Sequence, residues 1–531
     1  MVTETFDPVD LEILRNQLEG VATEMGRTLI RGAYSPNIKE RRDASTAIFD
    51  PAGRLVAQAE HIPVHLGAMP DAVAAVLDLD PSPGDAYLLN DPFAGGTHLP
   101  DVTLVAPLVI DGQPLAYGAV RAHHADVGGA TPGSLPAGAH DIYAEGVRIP
   151  PVAIRRRGSL REDILELLLA NVRHPRTRRA DLLAQLGAID RGQTRLGQLA
   201  DEHGRERLVA AFAAVRRYSR RRTTAAIDAL EDGTYRAVDA LEGDGRTDDP
   251  IAIRVAVTVD GEAVRVDFAG TADQVAGNVN APPAVTKSAV YFVLRCVTGA
   301  DIPPNAGCFD PITVDIPPGS VLDPRLPAAV GGGNVETSQR VADVVLEALR
   351  GADPDLPAHG QGTMNNLLIG PRGHGETYYE TIGGGFGARP DKDGIDGVHV
   401  GMTNTRNTPV ETLERAFPLT VLRYALRPGS GGDGRHRGGL GIERTIRVEM
   451  PSTVSILSDR RRRGPPGTDG GEAGAPGVNE VDGERVGSKV TRDVPAGTVV
   501  RVLTPGGGGF GDPSERDLTL RERDARDGKV D

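Results

Sequence analysis

Histidine and aspartate carry the first chemical signal. The segment Asn90-Asp91-Pro92-Phe93-Ala94-Gly95-Gly96-Thr97-His98-Leu99-Pro100-Asp101 is followed by Arg121-Ala122-His123-His124-Ala125-Asp126-Val127-Gly128-Gly129. Both follow apolar, strand-like runs, and strand ends on a shared sheet bring such loops together. His98, Asp101 and His123 with one more carboxylate form a donor set suited to Zn²⁺, Mn²⁺ or Fe²⁺. Neighbouring glycines let the backbone approach a metal or substrate closely. Metal-free acid–base chemistry fits the same residues, as do turn-forming aspartates beside hydrogen-bonded core histidines. Asp43 or Glu40, in the run Asn37-Ile38-Lys39-Glu40-Arg41-Arg42-Asp43-Ala44-Ser45, is the candidate for the missing carboxylate; the alternative is a solvated charge run. His61 and His65 lie four apart, but Pro63 between them speaks against a helical ligand pair, leaving one of them as a pocket-lining candidate. Five of the twelve histidines fall between His61 and His124, several-fold more than a uniform scatter would leave.

These residues need elements to position them. Asp7 and Pro8 read as a helix start, and Leu11, Leu14, Leu18, Val21 and Met25 recur on one helical face. Residues 45–57 read as two short strands around the Asp50-Pro51-Ala52-Gly53 turn. Residues 69–79 read as a helix, followed by apolar strands whose loops carry the His/Asp residues. Residues 160–232 read as mostly helical, with Arg216, Arg217, Arg220, Arg221 and Arg222 on a solvated face. Ile253, Val255 and Val257, then Asp260-Gly261, then Val264, Val266 and Phe268 predict a hairpin. Helices are expected at 284–298 and 335–350, glycine-rich loops over 361–411, and strands in the last 85 or so residues. The expected fold is mixed α/β (α+β) and multi-layered. It divides into a His/Asp metal-site region (1–160), a helical segment (161–235), a central α+β region (236–445) and a β-rich C-terminal region (446–531).

The 531 residues carry a formal charge of −14, no tryptophan and 4% aromatics. This argues against nucleic-acid or anionic-membrane partners, which need basic faces and stacking platforms. Cys296 and Cys308 are too few for a disulfide framework, no apolar run approaches the roughly 18 residues of a membrane span, and the acidic N-terminus is unlike a signal peptide. A cytoplasmic location is expected. Glycine (67) and proline (40) are abundant, yet the glycine-rich segments fail as phosphate cradles. Gly429-Ser430-Gly431-Gly432-Asp433-Gly434 does not open a helix, and Pro505-Gly506-Gly507-Gly508-Gly509-Phe510-Gly511-Asp512-Pro513 lacks the Lys-Ser/Thr of a P-loop. No G-x-S-x-G elbow is present.

Together the stretches 35–45, 90–103, 277–289 (GNVNAPPAVTKSA), 331–344 (GGGNVETSQRVADV), 380–394, 402–411 and 505–513 resemble the hydantoinase B / oxoprolinase family. These are the B-type subunits of ATP-dependent N-methylhydantoinases and 5-oxoprolinases. The resemblance implies a hetero-oligomer in which an actin-like A-type chain binds ATP and activates an amide oxygen. The B-type chain would carry a divalent metal and complete hydrolysis of the cyclic amide. Carried over by position, His98, Asp101 and His123 would be ligands, with Asp43 as a fourth. His124 or Asp126, each close to a presumed ligand, would serve as general base, or else orient His123. Acetone carboxylase subunits resemble the chain more distantly and imply ATP-dependent ketone carboxylation instead. Ala44 and Thr46 stand where the family often has an aromatic and a cysteine, so no thiol role carries over. Glu380, Asn404 and Glu411 would line a pocket or interface if the 380–411 stretch is functional.

Overall fold

The computed structural model describes residues 6–60, 62–299, 301–373 and 375–530, so His61 lies outside the described residues. Helix α1 (Pro8–Gly32) starts where Asp7 accepts the Val9 N–H, and it buries Leu14, Leu18, Val21, Met25 and Leu29. A short α2 (Pro36–Lys39) leads to strands β1 (Ala44–Phe49) and β2 (Leu55–Glu60), then helix α3 (Met69–Leu77). Strands β3 (Ala86–Leu89), β4 (Asp101–Ile110), β5 (Gln113–His123), β6 (Val152–Arg156) and β7 (Ser159–Leu160) complete a seven-stranded antiparallel sheet in the order β2-β1-β5-β4-β3-β6-β7. After α4 (Glu162–Leu169), the long helices α5 (Pro175–His203) and α6 (Arg205–Ile227) join α1 in the core on one face of this sheet. Helix α3 covers the other face through Met69, Val73 and Val76. Both faces are therefore dry, which explains why β4 reads as an unbroken apolar run instead of an alternating one.

A second core forms on strands β8 (Gly233–Leu241), β9 (Ile251–Asp260) and β10 (Ala263–Asp267). Helices α7 (Pro283–Thr298) and α8 (Ala306–Phe309) follow, then strand β11 (Ile312–Asp315), which pairs parallel to β10. A π-helical turn, Gly333–Thr337, runs straight into α9 (Ser338–Leu349), which packs on β8, β9 and α7. The expected hairpin around Asp260-Gly261 forms, with Asp260 opposite Ala263 and Val259 opposite Val264.

The rest of the chain is largely β. Strands β12 (Asn366–Pro371) and β13 (Tyr378–Thr381), helix α10 (Val410–Ala416) and strands β14 (Leu419–Arg427) and β15 (Gly441–Val448) come first. Strands β16 (Ser452–Leu457), β17 (Val478–Val481), β18 (Glu484–Val486), β19 (Lys489–Val494) and β20 (Val499–Leu503) follow, then helix α11 (Leu518–Arg526). They form two sheets, β13-β12-β16-β19 and β14-β15-β20-β17-β18, over a shared core of Leu367, Ile382, Ile446, Ile456 and Val502. The division expected at residue 445 does not separate sheets. Position 445 lies inside β15, and strands on either side of it pair, β12 with β16 and β15 with β20. Non-local pairing of this kind leaves no mark in local composition. Among the described residues no helix is long and apolar enough to cross a membrane.

The glycine-rich segments pack on one another. A Cβ on Gly385 would lie 2.0 Å from the Gly439 carbonyl oxygen, one on Gly438 1.9 Å from that of Gly507, one on Gly506 1.8 Å from that of Ser430, and one on Gly507 2.1 Å from that of Phe386. Backbone hydrogen bonds Gly385 N–H to Pro505, Gly439 N–H to Phe386, Gly507 N–H to Gly439 and Gly432 N–H to Gly507 lace these extended segments together. Close approach, rather than turn formation, therefore accounts for this part of the glycine surplus.

Candidate metal centre

The sheet register gathers the histidines and the aspartate. Asp101, at the start of β4, is the direct partner of His123, at the end of β5. Directly opposed residues share a face, and alternation along each strand keeps that face. Thr103, Arg121 and Ser45 therefore extend a polar stripe from Asp101 and His123. His98 joins from the loop just before β4, because the His98 carbonyl accepts the Asp101 N–H and turns the chain inward.

His98 Nε2 and His123 Nδ1 each lie 3.1 Å from Asp101 Oδ1 and 3.3 Å from each other. The other carboxylate oxygen, Oδ2, accepts the Thr97 hydroxyl at 2.7 Å and the Asn334 side-chain N–H at 3.4 Å, with His65 Nε2 3.5 Å away. All of these residues are buried. Burial pushes the Asp101 carboxyl up, but His98, His65 and the hydrogen-bonded His123 outweigh it and hold it well below its ordinary range. Burial pulls the His123 imidazole down despite Asp101, which favours the neutral, ligating form. Two imidazole nitrogens and one carboxylate oxygen thus converge within 4.8 Å of one another. Atoms about 2.1 Å from one ion at tetrahedral angles stand about 3.4 Å apart, so donor types and spacing fit a divalent cation.

Each member is held in place. His123 gives its N–H to the Asp43 carbonyl, its own carbonyl accepts the Asn37 side chain at 2.7 Å, and its ring stacks on Tyr379 at 4.8 Å. Arg41 donates to Asn37, to the Tyr379 carbonyl and to Thr381 and Thr405, and so ties this sheet to β13 and the 402–408 loop. Ser45 Oγ bonds His65 Nδ1 at 2.9 Å. Buried Arg121, lowered to about 10 by burial against the pull of Asp101 and Asp71, donates to Thr103.

Asp43 is buried beside this cluster, and its negative charge acts on His123, but its carboxylate lies outside the converging set of three. His124 faces the helices: its ring bonds Gln185 of α5 at 2.9 Å, and burial, then Arg178, lowers it to about 4. Asp126 accepts the Gly128, Gly133 and Arg173 N–H groups and pairs with the Arg173 guanidinium, which organises its own loop. Glu380 accepts the Thr408 N–H and bonds Tyr378 and Arg444 in a buried network, while Asn404 and Glu411 are exposed.

Residues that the sequence does not single out also reach the site. Asn334 arrives on the π-helical turn, Tyr379 on β13, and Glu145 on the loop after β5. Glu145 accepts the Val330 and Gly331 N–H groups and is raised by burial to about 7. The stretch 331–344 is visible as a motif, but nothing local marks which of its side chains turn toward Asp101.

A sequence model of the family Hydantoinase B/oxoprolinase matches residues 7–513. The chain is 42% identical to 5-oxoprolinase 1 of Arabidopsis thaliana over 95% of its own length but only 42% of that protein. It therefore spans about two fifths of that relative. It is 30% identical to a protein of a Pseudomonas species described as the B-type subunit of a D-/L-hydantoinase, covering 99% of this chain and 93% of the relative. Among solved structures, the ATP-dependent caprolactamase from Pseudomonas jessenii superposes with a TM-score of 0.92 at 28% identity, over 99% of this chain and 95% of that one. A nucleotide-free acetone carboxylase shares the fold, with a TM-score of 0.89 at 19% identity over 99% of this chain and 78% of that one.

Proposed function

The chain belongs to the hydantoinase B/oxoprolinase family, and from that premise we propose that it is the ring-opening subunit of an ATP-dependent cyclic-amide hydrolase. The observation that carries this reading is the convergence of His98, Asp101 and His123 at one sheet end. These three would hold a divalent Zn, Mn or Fe ion, with Asp43, buried beside them, as the candidate fourth ligand. Such an ion, when bound, supplies Lewis acidity and lowers the pKa of water toward neutrality.

An unstrained lactam or ureide is a poor electrophile, so the ring needs prior activation. We assign ATP binding and activation to an A-type partner in a hetero-oligomer. The Pseudomonas relative, described as one subunit of a hydantoinase, and the ATP-dependent caprolactamase support that assignment. This chain then orients the activated ring and excludes bulk water. Thr97 keeps the Asp101 carboxylate turned, and Tyr379 and Asn37 fix the His123 ring and backbone. His124 and Asp126 act through the backbone between them, setting how residues 123–128 leave the sheet.

The test is metal analysis, then ring opening of hydantoin, 5-oxoproline and caprolactam with ATP and a co-expressed A-type chain. His98→Ala and His123→Ala are expected to lose bound metal and ring opening while keeping the wild-type circular dichroism. Full metal content in both variants overturns the site. The shared fold with acetone carboxylase supports a second reading, ketone carboxylation, which would place labelled bicarbonate in a stable product instead of releasing a ring-opened acid.

A further inference from the structure

We propose that Asn334, presented by the π-helical turn Gly333–Thr337, is a positioning residue that makes Asp101 a one-oxygen ligand and accepts a hydrogen bond that orients a water molecule at the site. This rests on the metal and hydrolase reading above and says which residue, from which part of the chain, completes that site.

The two oxygens of Asp101 have divided tasks. Oδ1 faces His98 and His123, whereas Oδ2 is taken by Thr97 and by Asn334, with His65 Nε2 3.5 Å away. Thr97 belongs to the same loop as His98. Asn334 comes from the second core, 233 residues along the chain from Asp101. With Oδ2 occupied by two donors, only Oδ1 points into the convergence, so the carboxylate cannot rotate to offer both oxygens. Outer partners of this kind fix ligand orientation and tune affinity.

The rest of the Asn334 amide gives the second half of the inference. With its N–H₂ on Asp101, its Oδ1 is buried and has no partner among the described residues. Buried acceptors are almost always paired, and leaving one bare costs about 1–3 kcal/mol. A group maintained in that state, attached to a candidate ligand, suits a molecule that arrives during turnover. A water molecule can donate to it.

The backbone around Asn334 is built for close approach. A π turn is wider than an α turn and recurs at functional sites. Gly332 and Gly333 allow it, since a Cβ would lie 2.7 Å from Asn278 Oδ1 and 1.8 Å from the Asn280 carbonyl oxygen, respectively. The Ser338 hydroxyl donates to the Asn334 carbonyl at 2.7 Å, and Glu336 accepts the Met364 N–H and the Asn366 side chain. Arg340, one turn into α9, is buried and paired with Asp239 and Asp459. The turn is held by these contacts while the side-chain oxygen of Asn334 stays unpaired.

The experiment uses the full chain with Co²⁺, then the holoenzyme with its A-type partner. Asn334→Ala is expected to bind Co²⁺ about 10–100-fold more weakly with a changed d–d spectrum, and to lower kcat by a similar factor at unchanged KM. The ATP consumed per ring opened should rise, because activation continues while water attack fails. Asn334→Asp keeps the volume but loses the donor, and should fail in the same way; it decides the matter if the alanine variant does not fold. Wild-type affinity and spectrum in either folded variant, or a KM effect alone, overturns the proposal. Absence of Co²⁺ binding by the wild-type chain would instead sink the metal reading on which it rests.

Discussion

Glu336 sits two residues beyond Asn334 and shows how much of this interior depends on protonation. Burial, then repulsion from Asp459, raises its carboxyl from 4.5 to about 8. In the unfolded chain the group ionises near its ordinary value, whereas the folded chain keeps the proton until about pH 8. Folding therefore takes up a proton in that window, and stability falls as pH rises from about 4.5 to 8. Glu336→Gln is neutral throughout and keeps an acceptor for Met364 and Asn366. Relative to wild type it should gain about 3.5 kcal/mol between pH 5 and pH 8, read from urea unfolding at the two pH values. Parallel pH profiles for the two proteins would contradict the assignment. The convergence of His98, Asp101 and His123 is legible as a candidate donor set from residue type, because metal-ligating side chains come from a short list. Asn334, Glu336 and Tyr379 are not, because asparagine, glutamate and tyrosine acquire a role here only by which tertiary neighbour they meet.

Among the elements, local codes succeed where the chain answers to its immediate neighbours. The Asp7-Pro8 start of α1, the β1–β2 hairpin and the Asp260-Gly261 hairpin are all formed as their turn and cap residues require. The two C-terminal sheets show the limit, since their strand partners lie far apart in sequence and no periodicity specifies them. The glycines divide along the same line. Gly187, in the middle of α5, has nothing within 4 Å of a would-be Cβ. Gly187→Ala should stabilise by about 0.5–1 kcal/mol through reduced unfolded-state freedom. Gly507→Ala would drive a Cβ to 2.1 Å from the Phe386 carbonyl oxygen, where backbone cannot yield cheaply. It should cost several kcal/mol or prevent folding, since overpacking alone typically costs about 1–3 kcal/mol. Thermal unfolding of the pair checks both signs. A tolerated Gly507→Ala would mean that the glycine segments are less tightly joined than their hydrogen bonds imply.

At the scale of the molecule, the candidate centre is shared property. The first sheet and the loop before it supply the candidate ligands, the second core supplies Asn334, and the β-rich part supplies Tyr379. The cluster is buried by all three. A small chelator has no direct path to a bound ion, so release must wait for these parts to separate. Dipicolinate should strip the metal slowly from the native protein, and much faster in urea below the unfolding midpoint. Immediate stripping without denaturant would show that the site is open in solution.

The glycine bundle bears on the order in which such an enclosure can be completed. Its last segment, residues 505–511, lies 382 residues beyond His123. At ribosomal speeds of about 5–20 residues per second, roughly 20–80 s separate synthesis of the ligand strands from synthesis of the segment that locks the C-terminal sheets. During that interval the candidate ligands exist and the C-terminal sheets that complete their enclosure do not. A nascent chain therefore has its widest opportunity to take up a metal before the finished protein has closed over the place where it would sit.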